Sequence, residues 1–160
     1  MKLTVPSEQN KFYSEHLSII ARSYSYYVGS MMPLTEQADG ELDLVCARSL
    51  FNAPFALISH GTEHEPVFNY ANATAMKLFN MSWDEITTLQ SRYSAETLDR
   101  KQRSLLLKEV KRHGYIENYS GVRIAKGGRR FYIEQATVWN LIDNGTYYGQ
   151  AAMFSLWRFI

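Results

Sequence analysis

The fold is decided by Tyr115-Ile-Glu-Asn-Tyr-Ser-Gly-Val-Arg-Ile-Ala125 and by the turn that follows it, Lys126-Gly-Gly-Arg129. A second run of largely apolar residues spans 130–142, and Asp143-Asn-Gly145 separates it from a third run at 147–157. Each run is rich in β-branched and aromatic residues, and each break supplies glycines that can adopt the positive φ of a tight hairpin. The sequence therefore predicts a three-stranded antiparallel meander.

Residues 1–51 are predicted to form a helical N-terminal extension. Apolar side chains recur at helical spacing between residues 8 and 28, and a glycine and a proline end this first helix. A second helix is predicted to begin near Thr35, or nearer Glu41 because Gly40 weakens the first turn, and to end before residue 52.

Residues 52–160 are predicted to form the main domain. Short apolar runs at 55–59 and 67–70 predict two strands that pair with each other. Asn72 has the position of an N-cap for the helix that follows, and the longest helix of this domain is predicted from residue 100 to residue 112. The chain order is thus two strands, several helices and a meander.

The bulk properties exclude several classes of protein. The 160 residues are enough for one domain with its own core. The formal net charge is +1, so no nucleic-acid partner is indicated, because such proteins carry a basic surplus. The single cysteine, Cys46, and the lack of a secretion signal or a membrane-spanning apolar run indicate a cytoplasmic protein that binds no membrane.

Eight short segments carry a family resemblance: Val67-Phe-Asn-Tyr-Ala-Asn72, Leu78-Phe-Asn-Met-Ser-Trp83, Ser91-Arg-Tyr-Ser-Ala-Glu96, Asp99-Arg100, Tyr119-Ser-Gly-Val-Arg-Ile124, Gly128-Arg-Arg-Phe131, Val138-Trp-Asn-Leu141 and Gly149-Gln-Ala-Ala152. Together they resemble the MEKHLA family, a PAS-like domain found in bacterial proteins and at the C-terminal end of some plant homeodomain–zipper transcription factors. The resemblance extends from roughly residue 52 to the end of the chain.

The resemblance implies an α+β fold of the PAS type, a five-stranded antiparallel sheet with helices on one face, often around a small-molecule pocket. It implies no reaction. The strand predicted at 131–142 is apolar on both faces, and such a sheet needs cover on both sides. The N-terminal helices would therefore cover the other face of their own sheet, or the sheet of a partner in a dimer.

Alternate residues of the meander are expected to point into the pocket. The turn at 126–131 resembles the equivalent turn of flavin-binding LOV domains, and this resemblance sets the register. In that register the inward-facing candidates for ligand binding are Arg123, Ile133, Gln135, Thr137 and Ala151.

Arg123 gives the sharpest functional hypothesis, because a buried arginine is costly unless it is paired. Together with Gln135 or Thr137 it could bind the carboxylate or phosphate of a small ligand. The structural alternatives are an ion pair with Glu134 or Glu117, which is the usual arrangement of buried charges, and a register shifted by one residue that turns Arg123 to solvent.

The cofactor stays open, but two candidates are disfavoured. LOV-type flavin photochemistry needs a reactive cysteine in the region of residues 91–96, and this chain has none there. Haem is disfavoured because His113, near the position of the axial histidine in haem-binding PAS domains, is explained as a cap at the end of its helix.

A cluster of His60, Glu63, His64 and Glu65 could suggest a metal site. Metal-binding histidines four residues apart usually lie on a helix, whereas a glycine and a proline place this pair in a turn. A solvated hairpin tip is the favoured interpretation, and no metal is predicted.

The leading interpretation is a stand-alone sensory or interaction module of the PAS type, and not an enzyme. It would bind a small ligand or a partner protein, or form a homodimer, and signal in trans through its sheet face or its N-terminal helices. The alternative is a small α+β cone-shaped enzyme of the cyclase or isomerase kind, with an acid–base pair in its cavity. The candidates for that pair are Glu134, Asp99 and His60.

Overall fold

The structure of the chain, a computed structural model, describes residues 3–35 and 41–160, without the side chains of residues 97 and 98. The helices in these residues are the 3-10 helix Glu8–Tyr13, α1 Ser14–Val28, α2 Leu44–Phe51, α3 Ala73–Phe79, α4 Trp83–Ile86, a second 3-10 helix Ser91–Ser94, and α5 Thr97–His113. The strands are β1 Ala56–His60, β2 Phe68–Ala71, β3 Tyr115–Ile124, β4 Arg130–Asp143, β5 Thr146–Phe154 and β6 Leu156–Phe159.

The strands form one antiparallel sheet in the order β2-β1-β5-β4-β3. The predicted meander is β3, β4 and β5, and Gly127 and Gly128 in its first turn have the positive φ values 94° and 93°. β6 continues past β5 along the first half of β4, where Ile133 pairs with Trp157. The predicted PAS-like antiparallel sheet is confirmed, with β6 as a strand added to the expected five.

Asn72 joins three elements at the start of the main domain. Its Oδ1 accepts the amide N–H of Ala75 at 3.0 Å, which confirms the predicted N-cap of α3, and the amide N–H of Leu57 at 3.1 Å. Its Nδ2 donates to the carbonyl oxygens of Leu50 at 3.1 Å and Phe55 at 2.9 Å. One buried amide therefore holds the end of α2, the start of β1 and the start of α3 together.

The second helix begins later than the sequence predicts. α2 starts at Leu44, and the Oδ1 of Asp43 accepts the amide N–H of Cys46 at 2.8 Å as its cap. The amides that a cap at Thr35 would use belong to residues 36–40, which lie outside the described residues. Asp43 is a strong N-cap residue, which explains where the helix begins.

α1 covers the outer face of the sheet. The indole Nε1 of Trp139 in β4 donates to the carbonyl oxygen of Ile20 at 3.1 Å, and the ring of Tyr24 meets Trp139 edge-on at 5.0 Å. Both Trp139 and Ile20 are fully buried in a cluster shared by α1, α2 and the sheet. The expected cover by the N-terminal helices is therefore confirmed, while the division of the chain at residue 51 stays a prediction.

The inner face of the sheet is packed against α3 and α5. Phe79 of α3 meets Phe131 of β4 edge-on at 5.2 Å, and both belong to a second buried cluster with Ile58 and Ile133. Aromatic and branched side chains thus close much of the space under the helices. A gap is left under α5.

The alternation of side chains breaks in the middle of β4. Gln135 has a left-handed backbone with φ 54° and is exposed. Ile133 before it and Ala136 after it both belong to the inner cluster. The pairing of β3 with β4 is irregular at the same level, on both sides of Tyr119. Beyond Gln135 the inward positions of β4 are therefore shifted by one residue.

Candidate functional site

A cavity of about 60 Å³ lies between α5 and the inner face of the sheet. Apolar side chains form most of its wall, and basic or neutral polar side chains interrupt them. The lining residues are Ile58, Ser59, His60, Phe68, Phe79, Ser94, Arg103, Leu106, Leu107, Tyr119, Arg123, Ile133, Ala136, Val138, Gln150, Ala151, Ala152 and Phe154.

Arg123 reaches the cavity from β3 and is only 9% exposed. Its Nη2 donates to the hydroxyl of Tyr119 at 3.1 Å, and its Nη1 donates to the carbonyl oxygen of Val122 at 2.8 Å. A β-carbon at Gly121 would lie 2.5 Å from the Tyr119 hydroxyl oxygen and 3.3 Å from Nη1 of Arg123. Glycine at this position therefore leaves the room in which the two side chains meet.

Arg103 is the second arginine of the cavity and is 8% exposed. It projects from α5, and its Nη2 donates to Oγ of Ser91 at 3.0 Å. Burial, followed by the nearby charge of Arg123, lowers the pKa of Arg103 to about 9. At neutral pH the guanidinium group is still protonated, so the cavity contains two positive charges.

No carboxylate pairs with Arg103 or Arg123 in the part of the chain that the structure describes. Glu134, a predicted partner of Arg123, instead lies 3.4 Å from Nε of Arg158, measured from its Oε1. Glu117, the other predicted partner, is exposed. Arg123 therefore neither forms an ion pair with Glu134 or Glu117 nor faces solvent, so neither of its predicted structural alternatives is found.

His60 contributes an unused hydrogen-bond acceptor. Its Nδ1 lies 3.0 Å from the carbonyl oxygen of Gly61, so this nitrogen carries the proton and Nε2 has the free lone pair. Nε2 is buried and has no hydrogen-bond partner among the described residues. Burial lowers the pKa of His60 to about 4, so the ring is neutral at pH 7.

Three of the five predicted ligand-binding residues border the cavity, namely Arg123, Ile133 and Ala151. The inward orientation predicted for Ala151 is nevertheless wrong, because its side chain belongs to the outer cluster with Trp139. Gln135 and Thr137 do not line it, so the inward orientation predicted for them is wrong. The reason is the left-handed backbone of Gln135, which shifts the alternation of β4 by one residue and brings Ala136 inward. A ligand-binding role for the five residues stays a prediction.

The sequence interpretation missed Arg103, although a signal was present. Arg103 lies three, four and seven residues before Leu106, Leu107 and Val110, so it shares their face of α5. A cation within an apolar helical stripe indicates a buried charge that needs a partner. Tyr119 was missed as well, although strict alternation places it on the same face as Arg123.

A wider surface groove of about 760 Å³ adjoins the cavity. The two share the side chains of His60, Arg103, Leu107 and Gln150. The groove wall includes six basic residues: Arg92, Arg100, Lys101, Arg103, Lys108 and Lys111. Two acidic residues in the connection between β1 and β2, Glu63 and Glu65, also line it. The groove therefore presents a net positive charge next to the cavity.

The candidate residues of the enzyme alternative do not converge. Asp99 and Glu134 do not line the cavity, so His60 has no carboxylate beside it among the described lining residues. His64 is exposed between β1 and β2, and His113 is exposed at the end of α5, 3.1 Å from a glutamate one turn earlier. Within residues 3–35 and 41–160, no three His, Cys, Asp or Glu side chains gather as a metal site would require.

Comparison with known sequences identifies one family. The family profile described as the MEKHLA domain matches residues 14–159. The homeobox-leucine zipper protein ATHB-14 of Arabidopsis thaliana is 31% identical over 148 residues, and HOX9 of Oryza sativa subsp. indica is 25% identical over 145 residues. Each match covers 88% of this chain, which spans only 17% and 16% of the length of these relatives.

Comparison with solved structures identifies the fold. A PAS domain from Colwellia psychrerythraea has a TM-score of 0.58 at 14% identity, covering 71% of this chain and 92% of that one. A fungal LOV domain photoreceptor has a TM-score of 0.56 at 17% identity, covering 88% and 91%. The chain therefore has a PAS-like α+β fold. None of the helices in the described residues has both the length and the apolar character needed to cross a bilayer.

Proposed function

Since the chain belongs to the MEKHLA domain family and has a PAS-like fold, we propose that it is a sensory module that binds a small anionic ligand in the cavity under α5. The observation that carries the proposal is the pair of buried arginines, Arg103 and Arg123, without a carboxylate beside them in the described part of the chain. The enzyme alternative has no support from the arrangement of its candidate residues.

The energetics of the two arginines favour an anion. Each guanidinium group loses hydration on burial, and the two charges repel each other. An anion between them would form charge-assisted hydrogen bonds with both and remove the repulsion. Because the ligand binds only the folded chain, binding stabilises the fold by about 2.7 kcal/mol when its free concentration is 100 times the Kd. A large rise in thermal stability is therefore expected.

The cavity is connected to the outer face of the sheet through the last turns of α5. Nε2 of Gln150 in β5 donates to the carbonyl oxygen of Leu107 at 3.0 Å, and Nδ2 of Asn140 in β4 donates to that of Lys111 at 3.1 Å. Both amides lie on strands whose other face is covered by the N-terminal helices. A ligand that moves α5 would therefore strain the strands under α1.

α5 also contacts α1 at its end. Gly114 follows α5, and a β-carbon there would lie 2.5 Å from two ring carbons of Tyr27 in α1. We propose that ligand occupancy is passed through this contact to a partner protein, or to a second copy of the chain, at α1 and the outer sheet face. The compartment proposed for this activity is the cytoplasm, because the single Cys46 fits a reducing environment.

The proposed function is tested by thermal unfolding of the purified protein in a panel of small anions at constant ionic strength. At least one anion is expected to raise the Tm by several degrees, since about 1 kcal/mol corresponds to roughly 2–4 °C for a chain of this size. Arg123→Met should abolish the rise, and Arg112→Met, at an exposed position of α5, should preserve it. Equal rises in both variants, or none in any anion, would contradict the proposal.

A further inference from the structure

If the proposed function holds, the polar groups of the cavity indicate the hydrogen-bonding groups of the ligand as well as its charge. Burial is the main cause of the lowered pKa of Arg103 and of His60; the charge of Arg123 adds to the first shift, and the charge of Arg103 adds to the second. Arg103, Arg123 and His60 all line the same cavity. Two of the three groups donate hydrogen bonds, whereas Nε2 of His60 can only accept one.

The size of the cavity limits the ligand to a few atoms. A volume of about 60 Å³ corresponds to roughly four to six water-sized atoms, because one water needs about 10–15 Å³ by this measure. Pockets for larger organic ligands usually occupy about 300–1,000 Å³. A carboxylate of two or three carbons fits, and a nucleotide or a ring system does not.

We propose that the ligand is a 2-hydroxycarboxylate of two or three carbons, with its carboxylate held between Arg103 and Arg123 and its hydroxyl donating to Nε2 of His60. The carboxylate matches the planar donors of the guanidinium groups. The hydroxyl supplies the donor that buried Nε2 lacks. The remaining carbon would contact apolar wall residues such as Ile133 and Val138.

Inorganic oxyanions fit the same cavity less well. Phosphate and nitrate have oxygens around the whole ion, and each oxygen needs a donor when it is buried. The wall also includes Ile58, Phe68 and Phe154, whose side chains donate none. Nitrate also has no hydrogen to offer to Nε2 of His60. A small organic carboxylate matches both kinds of wall, because its carboxylate group can bind the arginines while its hydrocarbon part contacts the apolar side chains.

The basic groove beside the cavity fits an anion that approaches from solvent. Six Lys and Arg side chains outnumber the two glutamates in its wall, so its field attracts small anions toward His60 and Arg103. Attraction of this kind is screened by salt. The association rate of the ligand is therefore expected to fall as the ionic strength rises.

Isothermal titration calorimetry at pH 7.5, where His60 is neutral, tests the proposal. The probes are L-lactate, glycolate, propionate, acetate, phosphate and nitrate. L-Lactate is expected to bind at least about five-fold more tightly than propionate, the value of one neutral hydrogen bond. Arg123→Met and Arg103→Met are each expected to weaken lactate binding by about 10- to 100-fold, and Arg112→Met to leave it unchanged.

His60→Leu separates the hydroxyl contact from the charge. It is expected to remove the preference for lactate over propionate while both acids still bind. If this variant fails to fold by circular dichroism, the preference of the unmodified chain decides the question. Equal binding of lactate and propionate, or tightest binding of phosphate or nitrate, overturns the 2-hydroxycarboxylate and leaves the anion-binding function standing. Absence of binding by all six anions overturns both.

Discussion

The hydroxyl of Ser23 in α1 forms two hydrogen bonds with the backbone of Ile142 in β4. It donates to the carbonyl oxygen at 3.1 Å and accepts the amide N–H at 2.9 Å. A side chain of the helix thus satisfies both polar groups of one strand residue, as a neighbouring strand would do. α1 is therefore fixed to the sheet at a defined position, and not only by apolar contact.

Ser23→Ala is expected to lower the free energy of unfolding by about 1–3 kcal/mol, because it leaves the amide and carbonyl of Ile142 without this partner. Urea unfolding followed by circular dichroism measures the change. Ser25→Ala, two residues further along the same helix, is expected to change stability by no more than about 0.5 kcal/mol. Equal losses in the two variants would show that the hydroxyl of Ser23 has no such role.

Arg103→Met is expected to raise the stability of the ligand-free chain by about 1–3 kcal/mol. The change removes one of two repelling buried charges and keeps an apolar side chain of similar length in its place. The measurement is urea unfolding in a buffer without small carboxylates. Arg112→Met, which removes an exposed charge from the same helix, controls for net charge and should be nearly neutral. A strong loss of stability in Arg103→Met would indicate that the arginine is held by contacts within the chain.

Gly149→Ala is expected to destabilise the fold by more than about 2 kcal/mol. Gly149 in β5 has φ 129°, and a β-carbon there would lie 2.0 Å from the carbonyl oxygen of His60 in β1. Gly128→Ala is the matched control, since it has φ 93° and nothing within 4 Å of its β-carbon position. The control should lose only about 1 kcal/mol, and thermal unfolding of both variants checks the difference. Similar losses of stability in the two variants would mean that β1 shifts to make room for the new β-carbon at position 149.

Stability is expected to fall as the pH drops from about 6.5 toward 4. Burial lowers the pKa of His16 and of His60 from 6.5 to about 4, so between these values the unfolded chain binds more protons than the folded one. The free energy of unfolding then decreases with falling pH, by about 2 kcal/mol per histidine at pH 5.

Urea unfolding at pH 7.5 and 5.0 measures this pH dependence. The difference between the two pH values should shrink in His16→Gln and in His60→Gln, because glutamine does not titrate. The exposed His64 provides the control variant His64→Gln, in which the difference should persist. An unchanged difference in the first two variants would assign the pH dependence to other groups.

The fold followed from the sequence because local signals agreed with each other. Glycines at 127 and 128 fixed the first hairpin, Asn72 capped its helix, and the two-sided apolar pattern around Trp139 required a helical cover. Each of these features depends on a few neighbouring residues, so sequence spacing is sufficient to predict it.

The site followed less completely. Strict alternation predicted Arg123 and Ile133 correctly as cavity-lining residues but failed at Gln135, because a left-handed residue inside a strand leaves little trace in the sequence when it is not glycine. Predicting Arg103 as a cavity-lining residue would have required knowing which face of α5 packs over which strands. Arg103 and Arg123 come close only through the tertiary packing of α5 on the sheet, which no local sequence pattern predicts.

The enclosure of Trp139 by α1 has a consequence for any attempt to shorten the chain. Its indole N–H depends on the carbonyl of Ile20, and its ring is fully hidden together with Leu57 and Leu141. Removing residues 1–51 would leave the indole N–H without its hydrogen-bond acceptor and would expose the apolar outer face of the sheet to water. The remaining fragment, residues 52–160, would aggregate or bind a helix of another protein. The N-terminal helices therefore keep the outer sheet face from unwanted association.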